Sequence, residues 1–390
     1  MFKGRRKLDN RVCFSKAGSY DPDELAVIIK NHFDMLGLNR EFFAGKKVAI
    51  KPNLVADKSP DTATTTHPNV ILAVTKILNE YSITPILAES PGGTYTPGRM
   101  KNTYKACGLN PLLEKCDIVF NYDTSSCVME NPDGKTVKMF NIIKPIYEAD
   151  VIIDIGKLKS HTLTTMTSTV KNLFGTIPGI EKFEFHASHP GYESFAETIV
   201  DLCSGLMRNR TVIAITDAIL CMEGDGPTAG TPRFLGALTT SVNPFASDEL
   251  SEYVLGIENR VYMVQEARNR NFIPQDVSGL EIIGDNPDEL RINDFKLGTL
   301  ESGSASVKLL NFLSKSSMGR YFMPRPYVTD KCVGCMTCAR NCPVQTITKD
   351  AKTNRAKINT SKCIRCYCCQ ELCPISAVTV KTNFILKLLK

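Results

Sequence analysis

Twelve residues, CVGCMTCARNCP at 332–343, return thirty-one positions later as CIRCYCCQELCP at 363–374. No other feature limits the folding of this chain as tightly. Each run reads Cys-x2-Cys-x2-Cys-x3-Cys-Pro, which puts three thiolates in one loop and a fourth where the chain leaves it. Nine of the 15 cysteines of this 390-residue chain lie between Cys332 and Cys373. The basic N-terminus, MFKGRRKLDNRVCFSKAGSY, lacks the apolar region of a signal peptide. No apolar stretch is long enough to span a bilayer, so no transmembrane segment and a cytoplasmic location are expected. In that setting clustered cysteines point to metal, not disulfides. The other six, Cys13, Cys107, Cys116, Cys127, Cys203 and Cys221, are scattered and read as small core residues.

The two cysteine runs repeat beyond the thiols, since CPVQTIT after the first matches CPISAVT after the second. Ile347 and Ile358 flank the polar stretch KDAKTNR as in a hairpin. The segment resembles the pseudo-symmetric bacterial ferredoxin fold with two 4Fe-4S clusters. In two-cluster ferredoxins the fourth cysteine of each run serves the other cluster. The resemblance therefore implies Cys332, Cys335, Cys338 and Cys373 for cluster one, and Cys363, Cys366, Cys369 and Cys342 for cluster two. Cys368 is left over and is expected to be a packed or sulfur-facing bystander. Zinc is the rival, but zinc ribbons use separated Cys-x2-Cys pairs, not two proline-closed runs of four.

Charge separates this tail from the rest. Residues 331–390 hold 11 Lys and Arg against 2 Asp and Glu, and residues 1–330 hold 36 against 39. Two oxidised clusters with four thiolates each offset only part of the tail's excess, so the loaded module stays basic and suits an acidic docking surface on a redox partner protein. The basic residues gather in the cluster module and form no nucleic-acid-binding motif, so no nucleic-acid partner is expected.

Upstream, short apolar strands alternate with amphipathic helices, the rhythm of an α/β body with a mostly parallel sheet, followed by a small α+β ferredoxin-like module. The expected divisions are an α/β body over 1–300, a linker or helical strap over 301–325, the ferredoxin-type domain over 326–382 and a basic apolar tail over 383–390. Asp21-Pro22-Asp23-Glu24 is a helix start that Gly37 terminates, and Thr66-His67-Pro68 caps a second helix with Val70, Val74, Ile77 and Leu78 on its apolar face. Strands are expected at KVAI, Ile83–Ala88, Ile118–Phe120, Val151–Asp154, Val212–Thr216 and Leu280–Ile283. Thr165 to Gly175 reads as one helix.

Polar residues follow the carboxyl ends of several strands, the edge at which open α/β sheets bind ligands. Lys51-Pro52-Asn53 follows VAI, Glu89-Ser90-Pro91-Gly92-Gly93 follows ILA, Lys157-Leu158-Lys159-Ser160-His161 follows VIIDIG, and Asp217 follows VIAIT. Lys171 and Asn172, and the acidic loop with Glu223 and Asp225, border the same expected cleft. In this order KPN, TTTHP, ESPGG, KLKSHTLT with VKNLFGTIPG, and MEGDGPTAG resemble the domain of unknown function family 362, often joined to a ferredoxin-type tail. The likeness spans roughly residues 45–260. It implies an α/β body in a redox context and names no reaction.

Lys51, Lys157, His161 and Asp217 are the candidate catalytic residues, with Asn53, Glu89, Lys171, Asn172, Glu223 and Asp225 as candidate substrate ligands. The lysines suit a small anion and His161 suits proton transfer. Glu223 and Asp225 form a candidate divalent-cation site, and His186 and His189 a candidate metal pair. His67 reads as a helix cap. ESPGG is no dinucleotide or Walker fingerprint. Three functions remain open: an oxygen-sensitive, anaerobic iron–sulfur oxidoreductase with a small anionic substrate or acceptor; a non-enzymatic carrier or docking or maturation factor for another metalloenzyme; and a non-redox enzyme with structural clusters.

Overall fold

The computed structural model describes residues 8–298 and 324–381. The expected strap at 301–325 and tail at 383–390 therefore lie almost entirely outside the described residues. One nine-stranded mixed sheet forms the body, in the order Glu281–Gly284, Arg11–Lys16, Thr231–Ser241, Thr211–Glu223, Val151–His161, Val48–Pro52, Ile86–Leu87 and Val119–Phe120, with Thr165–Thr167 paired to Val151–His161. Its central run, from Thr211–Glu223 to Val119–Phe120, is parallel. Strand Thr231–Ser241 runs antiparallel to both its neighbours.

Both faces of the central strands are buried. Val151, Ile153 and Ile155 join one apolar cluster with Leu25 and Ile29 of helix Pro22–Met35 and Val70, Val74 and Ile77 of helix Pro68–Glu80. Ile152 and Leu158 join another with Phe195 and Ile199 of helix Tyr192–Asn209 and Leu250 of helix Pro244–Val254. Such double coverage is why these strands read as unbroken apolar runs. The caps follow the sequence: Asp21 accepts from the N–H groups of Asp23 and Glu24, and His67 accepts from that of Asn69.

Two central strands extend well past their expected ends. Val151–His161 continues through Lys157-Leu158-Lys159-Ser160, and Thr211–Glu223 continues through Asp217, so these polar residues are ladder residues and not loop residues. Parallel pairing between the two strands, Lys157 opposite Asp217, carries the ladder onward, with a register shift before Lys159 meets Met222. Residues 165–175 are not one helix: strand Thr165–Thr167 pairs back onto Val151–His161, then a short helix covers Thr169–Asn172 and a 3-10 turn Leu173–Thr176.

The small module pairs Arg325–Val328 with Val378–Lys381, and Ile347–Lys349 with Ala356–Ile358, the latter with Ile347 opposite Ile358 as the hairpin reading expects. Its halves repeat in backbone detail. Left-handed φ angles occur at Gly334, Met336 and Gln345 and again, thirty-one positions on, at Arg365, Tyr367 and Ser376. Each short helix, Thr337–Arg340 and Cys368–Glu371, starts from one of these left-handed residues.

Candidate functional site

Helix Cys368–Glu371 of the module is seated over the carboxyl ends of the body's strands. The Thr162 hydroxyl lies 2.8 Å from the Gly226 carbonyl and 3.1 Å from Gln370 Oε1, while Thr228 donates to the Glu371 carbonyl at 3.2 Å and Lys58 to the Pro374 carbonyl at 3.3 Å. Leu372 lies so close to Gly92 that a β-carbon there would come within 2.5 Å of it, so the glycine of ESPGG provides close approach to the module.

Beneath this seat is a cavity of about 80 Å³, lined from the body by Asn53, Glu89, Lys159, His161, Lys171 and Lys182, among others, and from the module by Cys368, Glu371 and Leu372. By volume it would hold about three water molecules, and it is well below the roughly 300 Å³ typical of drug-sized pockets.

Each basic group has a distinct setting. Lys51, fully buried, donates to the Pro52 carbonyl at 2.8 Å, to Asn172 Oδ1 at 3.2 Å and to Glu89. Burial raises the Glu89 carboxyl even against the pull of Lys51 and Lys182. Lys159 has no carboxylate partner at hydrogen-bond distance; its ammonium donates to Asn53 Oδ1 and the Thr64 carbonyl, and burial pushes it down to about 7. Lys182 rests on the Ser90 carbonyl and hydroxyl and is likewise pushed down to about 7 by burial. Lys171, also lowered by burial, lies 4.7 Å from the Phe174 ring centroid.

Lys171 and Asn172 are aimed by a buried cap. Asp248, on helix Pro244–Val254, accepts from the Thr169 N–H and hydroxyl, each at 2.8 Å, and fixes the start of helix Thr169–Asn172. Asn172 then donates to Asp154 Oδ1 at 2.7 Å and to the Lys51 carbonyl at 3.2 Å.

His161 accepts at Nδ1 from the N–H groups of Leu163 (3.0 Å) and Thr164 (3.2 Å), which leaves its proton on Nε2, 3.2 Å from Glu371 Oε1. Burial lowers His161 despite that carboxylate. Burial works to raise Glu371, but His161, Lys171 and His186 outweigh it and hold the carboxyl at about 2. Glu371 is therefore an anion, and the bases around it share its charge.

The structure does not bring every expected residue here. Lys157 and Asp217 form a closed cluster elsewhere, with Lys157 donating to Asp217 Oδ2 at 2.9 Å and Tyr20 Oη at 2.7 Å. Tyr20 donates to Asp217 Oδ1 at 2.8 Å and stacks on His67, and the His67 N–H reaches Asp217 Oδ2 at 3.0 Å. Glu223 is ion-paired to Arg233 at 3.0 Å and Lys296 at 3.4 Å, and neither Glu223 nor Asp225 lines the cavity. His186 stacks on Phe195 while His189 stacks on Phe185. Among the described residues no three His, Cys, Asp or Glu side chains converge on a single ion, so neither the Glu223/Asp225 cation nor the histidine pair gains support. Reasoning from sequence left Lys159 unassigned and missed Lys182 and Glu371; Lys182 lies three residues beyond VKNLFGTIPG.

The cysteines fall into two neighbourhoods. Cys342, Cys363, Cys366, Cys368 and Cys369 line one small cavity. Cys338, pushed up to about 11 by burial, has Cys332, Cys373 and Cys335 as its thiol neighbours. Backbone N–H groups approach four of the sulfurs: Thr346 to Cys342 (3.4 Å), Ala356 to Cys332 (3.5 Å), Arg365 to Cys363 (3.4 Å) and Ala377 to Cys373 (3.1 Å). Amide donors to thiolate are the environment in which cubane clusters are held and tuned, and these residues fit such a group. Cys368 is buried and lines both the cysteine cavity and the lysine-lined one.

Fold and cysteine geometry thus define an iron–sulfur electron-transfer protein with an α/β body. Residues 331–377 match the 4Fe-4S dicluster domain. Residues 48–251 match the Domain of unknown function (DUF362), and the chain belongs to that family. Over 294 residues it is 29% identical to a thylakoid-associated protein of Synechocystis sp., a match covering 73% of this chain and 87% of that protein. Weak structural similarity extends to a protein from Thermotoga maritima (TM-score 0.36, 13% identity, 56% of this chain and 55% of the other) and to the lactate racemase apoprotein of Thermoanaerobacterium thermosaccharolyticum (TM-score 0.37, 15% identity, 65% and 59%). The chain spans less than two thirds of either solved structure. Among the described residues no helix is long and apolar enough to cross a membrane.

Proposed function

We propose that the protein is an iron–sulfur oxidoreductase whose substrate or acceptor is a small anion bound in the cavity under helix Cys368–Glu371. One observation carries the reading: that helix contains Cys369, assigned to cluster two, and also supplies Cys368 and Glu371 to the cavity wall. Bound 4Fe-4S clusters, held by Cys332, Cys335, Cys338 and Cys373 and by Cys363, Cys366, Cys369 and Cys342, would supply one-electron transfer. Lys159, Lys171 and Lys182 attract and orient the anion in a site of low dielectric, where charge-assisted contacts are strong. His161, with its proton fixed on Nε2, hands that proton to the ligand or takes one back. Lys51 and Asn172 hold Glu89 and the cavity floor in place. The closed packing of the module keeps bulk water from the reacting atoms.

Exposed Cys335, in a module rich in Lys and Arg, supports cluster one as the place where an acidic redox partner exchanges electrons. A cytoplasmic, oxygen-poor setting belongs to the same reading.

The test is re-oxidation. Anaerobically reduced protein is mixed with individual small carboxylates and inorganic oxyanions while cluster absorbance is followed. At least one should re-oxidise the wild type, and Lys159→Met and His161→Ala should abolish that acceleration with cluster content unchanged. Equal rates in all three proteins would sink the assignment.

A further inference from the structure

Glu371 belongs to the iron–sulfur module, yet its carboxylate is buried in the body's cavity. Its side chain is 13% exposed, and Oε1 sits 3.2 Å from His161 Nε2 while accepting no well-aligned hydrogen bond. His186 Nδ1, in the same cavity, is a second buried polar atom without a partner. Buried polar groups are normally satisfied, so two such atoms on residues lining one cavity call for an explanation.

The backbone that carries Glu371 is tied down, through the Thr228 hydroxyl at its own carbonyl and Thr162 at Gln370. The side chain is therefore an arm reaching from a fixed point into a ring of bases: His161 in contact, with Lys171, His186 and Lys159 close enough to feel its charge. None of these four is neutralised by a carboxylate of the body at hydrogen-bond distance. The body alone would present a cluster of buried basic groups, whose charged forms are unfavourable unless an anion joins them.

We propose that the cavity is a site for a small carboxylate, and that Glu371 occupies the carboxylate position as a tethered competitor until such a ligand displaces it. This rests on the reading of the cavity as a substrate site and deepens it. Glu371 shows which group the site accommodates: planar, singly charged and short. The cavity's volume of about 80 Å³ leaves room for little beyond that group. Displacement asks only for rotation of one side chain about its own bonds, with the module still seated. The arrangement makes ligand arrival and loss of the His161–Glu371 contact a single event. A vacant site would then never expose buried charge to water beside the clusters.

The experiment is a calorimetric titration of the full-length, cluster-loaded protein with acetate under anaerobic conditions, with inorganic phosphate as a parallel probe. Glu371→Gln keeps the size of the side chain and removes its charge. Acetate should bind this variant about tenfold tighter than wild type or more, the factor recovered when a state open one-tenth of the time becomes permanently open. Phosphate should show no such gain. Glu371→Asp withdraws the carboxylate by one methylene while keeping its charge, and should give a smaller gain of the same sign; it serves if Glu371→Gln fails to retain its clusters. Unchanged or weaker acetate binding in either loaded variant, or an equal gain for phosphate, overturns the proposal.

The two readings fail separately. Tighter acetate binding in the variants, with no small anion able to re-oxidise the reduced protein, would leave the carboxylate site and remove the oxidoreductase. Re-oxidation by a small anion with acetate affinity unaltered by Glu371→Gln would do the reverse.

Discussion

Lys157 and Lys159 stand two residues apart on one strand, both fully buried, and they live in opposite electrostatic worlds. Lys157 is matched by Asp217, Tyr20 and, through Asp217, His67, so every charge in its cluster has a partner. Lys159 meets only an amide oxygen and a carbonyl, beside a cavity with two further lysines, two histidines, Glu89 held by Lys51, and the module's Glu371. A closed ion pair holds a fold together, whereas buried cations short of anions mark a place that waits for one. The same residue type in the same strand thus serves structure at one position and ligand binding at the next.

Breaking the closed side should have the largest effect. Lys157→Met leaves Asp217 buried without its cation and should cost about 3–5 kcal/mol in denaturant unfolding. A loss below 1 kcal/mol would erase the contrast. On the open side Lys159→Met should cost little stability but weaken anion binding by about 1.5–3 kcal/mol, the weight of a hydrogen bond to a charged group, as read by acetate titration.

Acidity sharpens the comparison further. With Lys159 and Lys182 at about 7 in the folded chain and lysine near 10.4 when unfolded, the unfolded chain binds more protons between those values. Stability should therefore rise with pH across that window, and Lys159→Met should flatten the rise. Anion affinity should move the other way, falling above pH 7 as the ammonium groups deprotonate; a pH-independent affinity would contradict the lysine assignment.

Smaller effects are expected at the cavity's edges. A β-carbon at Gly175 would come within 2.3 Å of Glu89 Oε1 and 2.7 Å of Lys51 Nζ, so Gly175→Ala should destabilise by about 1–3 kcal/mol through overpacking. Thr162→Val removes the hydroxyl shared between the Gly226 carbonyl and Gln370 of the module and should cost about 0.5–1.5 kcal/mol. Limited proteolysis of the module, compared with wild type, would detect it.

Much of this contrast was visible in the sequence as residue types and little of it as pairing. The cysteine repeat, the Asp21 and His67 caps and the apolar strands could be read directly, because each depends on neighbours a few positions away. Sequence reasoning names Lys157 a catalytic candidate and leaves Lys159 unassigned, yet it is Lys159 that lines the cavity, since their fates are decided by Asp217 and Thr64, far along the chain, and by strands that run past the point where apolar residues stop. Parallel pairing of Val151–His161 with Thr211–Glu223 carries polar residues into the ladder, with a register shift between Lys157 and Lys159. Glu371 was hidden for a related reason: its meaning comes from His161, 210 positions earlier, and from the way the module sits on the body. Lys182 lay beyond the recognised polar motifs, and burial on Ser90 gives it its place.

Electron–nuclear double resonance on the reduced, full-length protein with carbon-13-labelled acetate tests the central claim most directly. The account predicts carbon-13 coupling to one of the two clusters, lost in Lys159→Met. Acetate that saturates the protein by calorimetry yet shows no coupling to either cluster would contradict it.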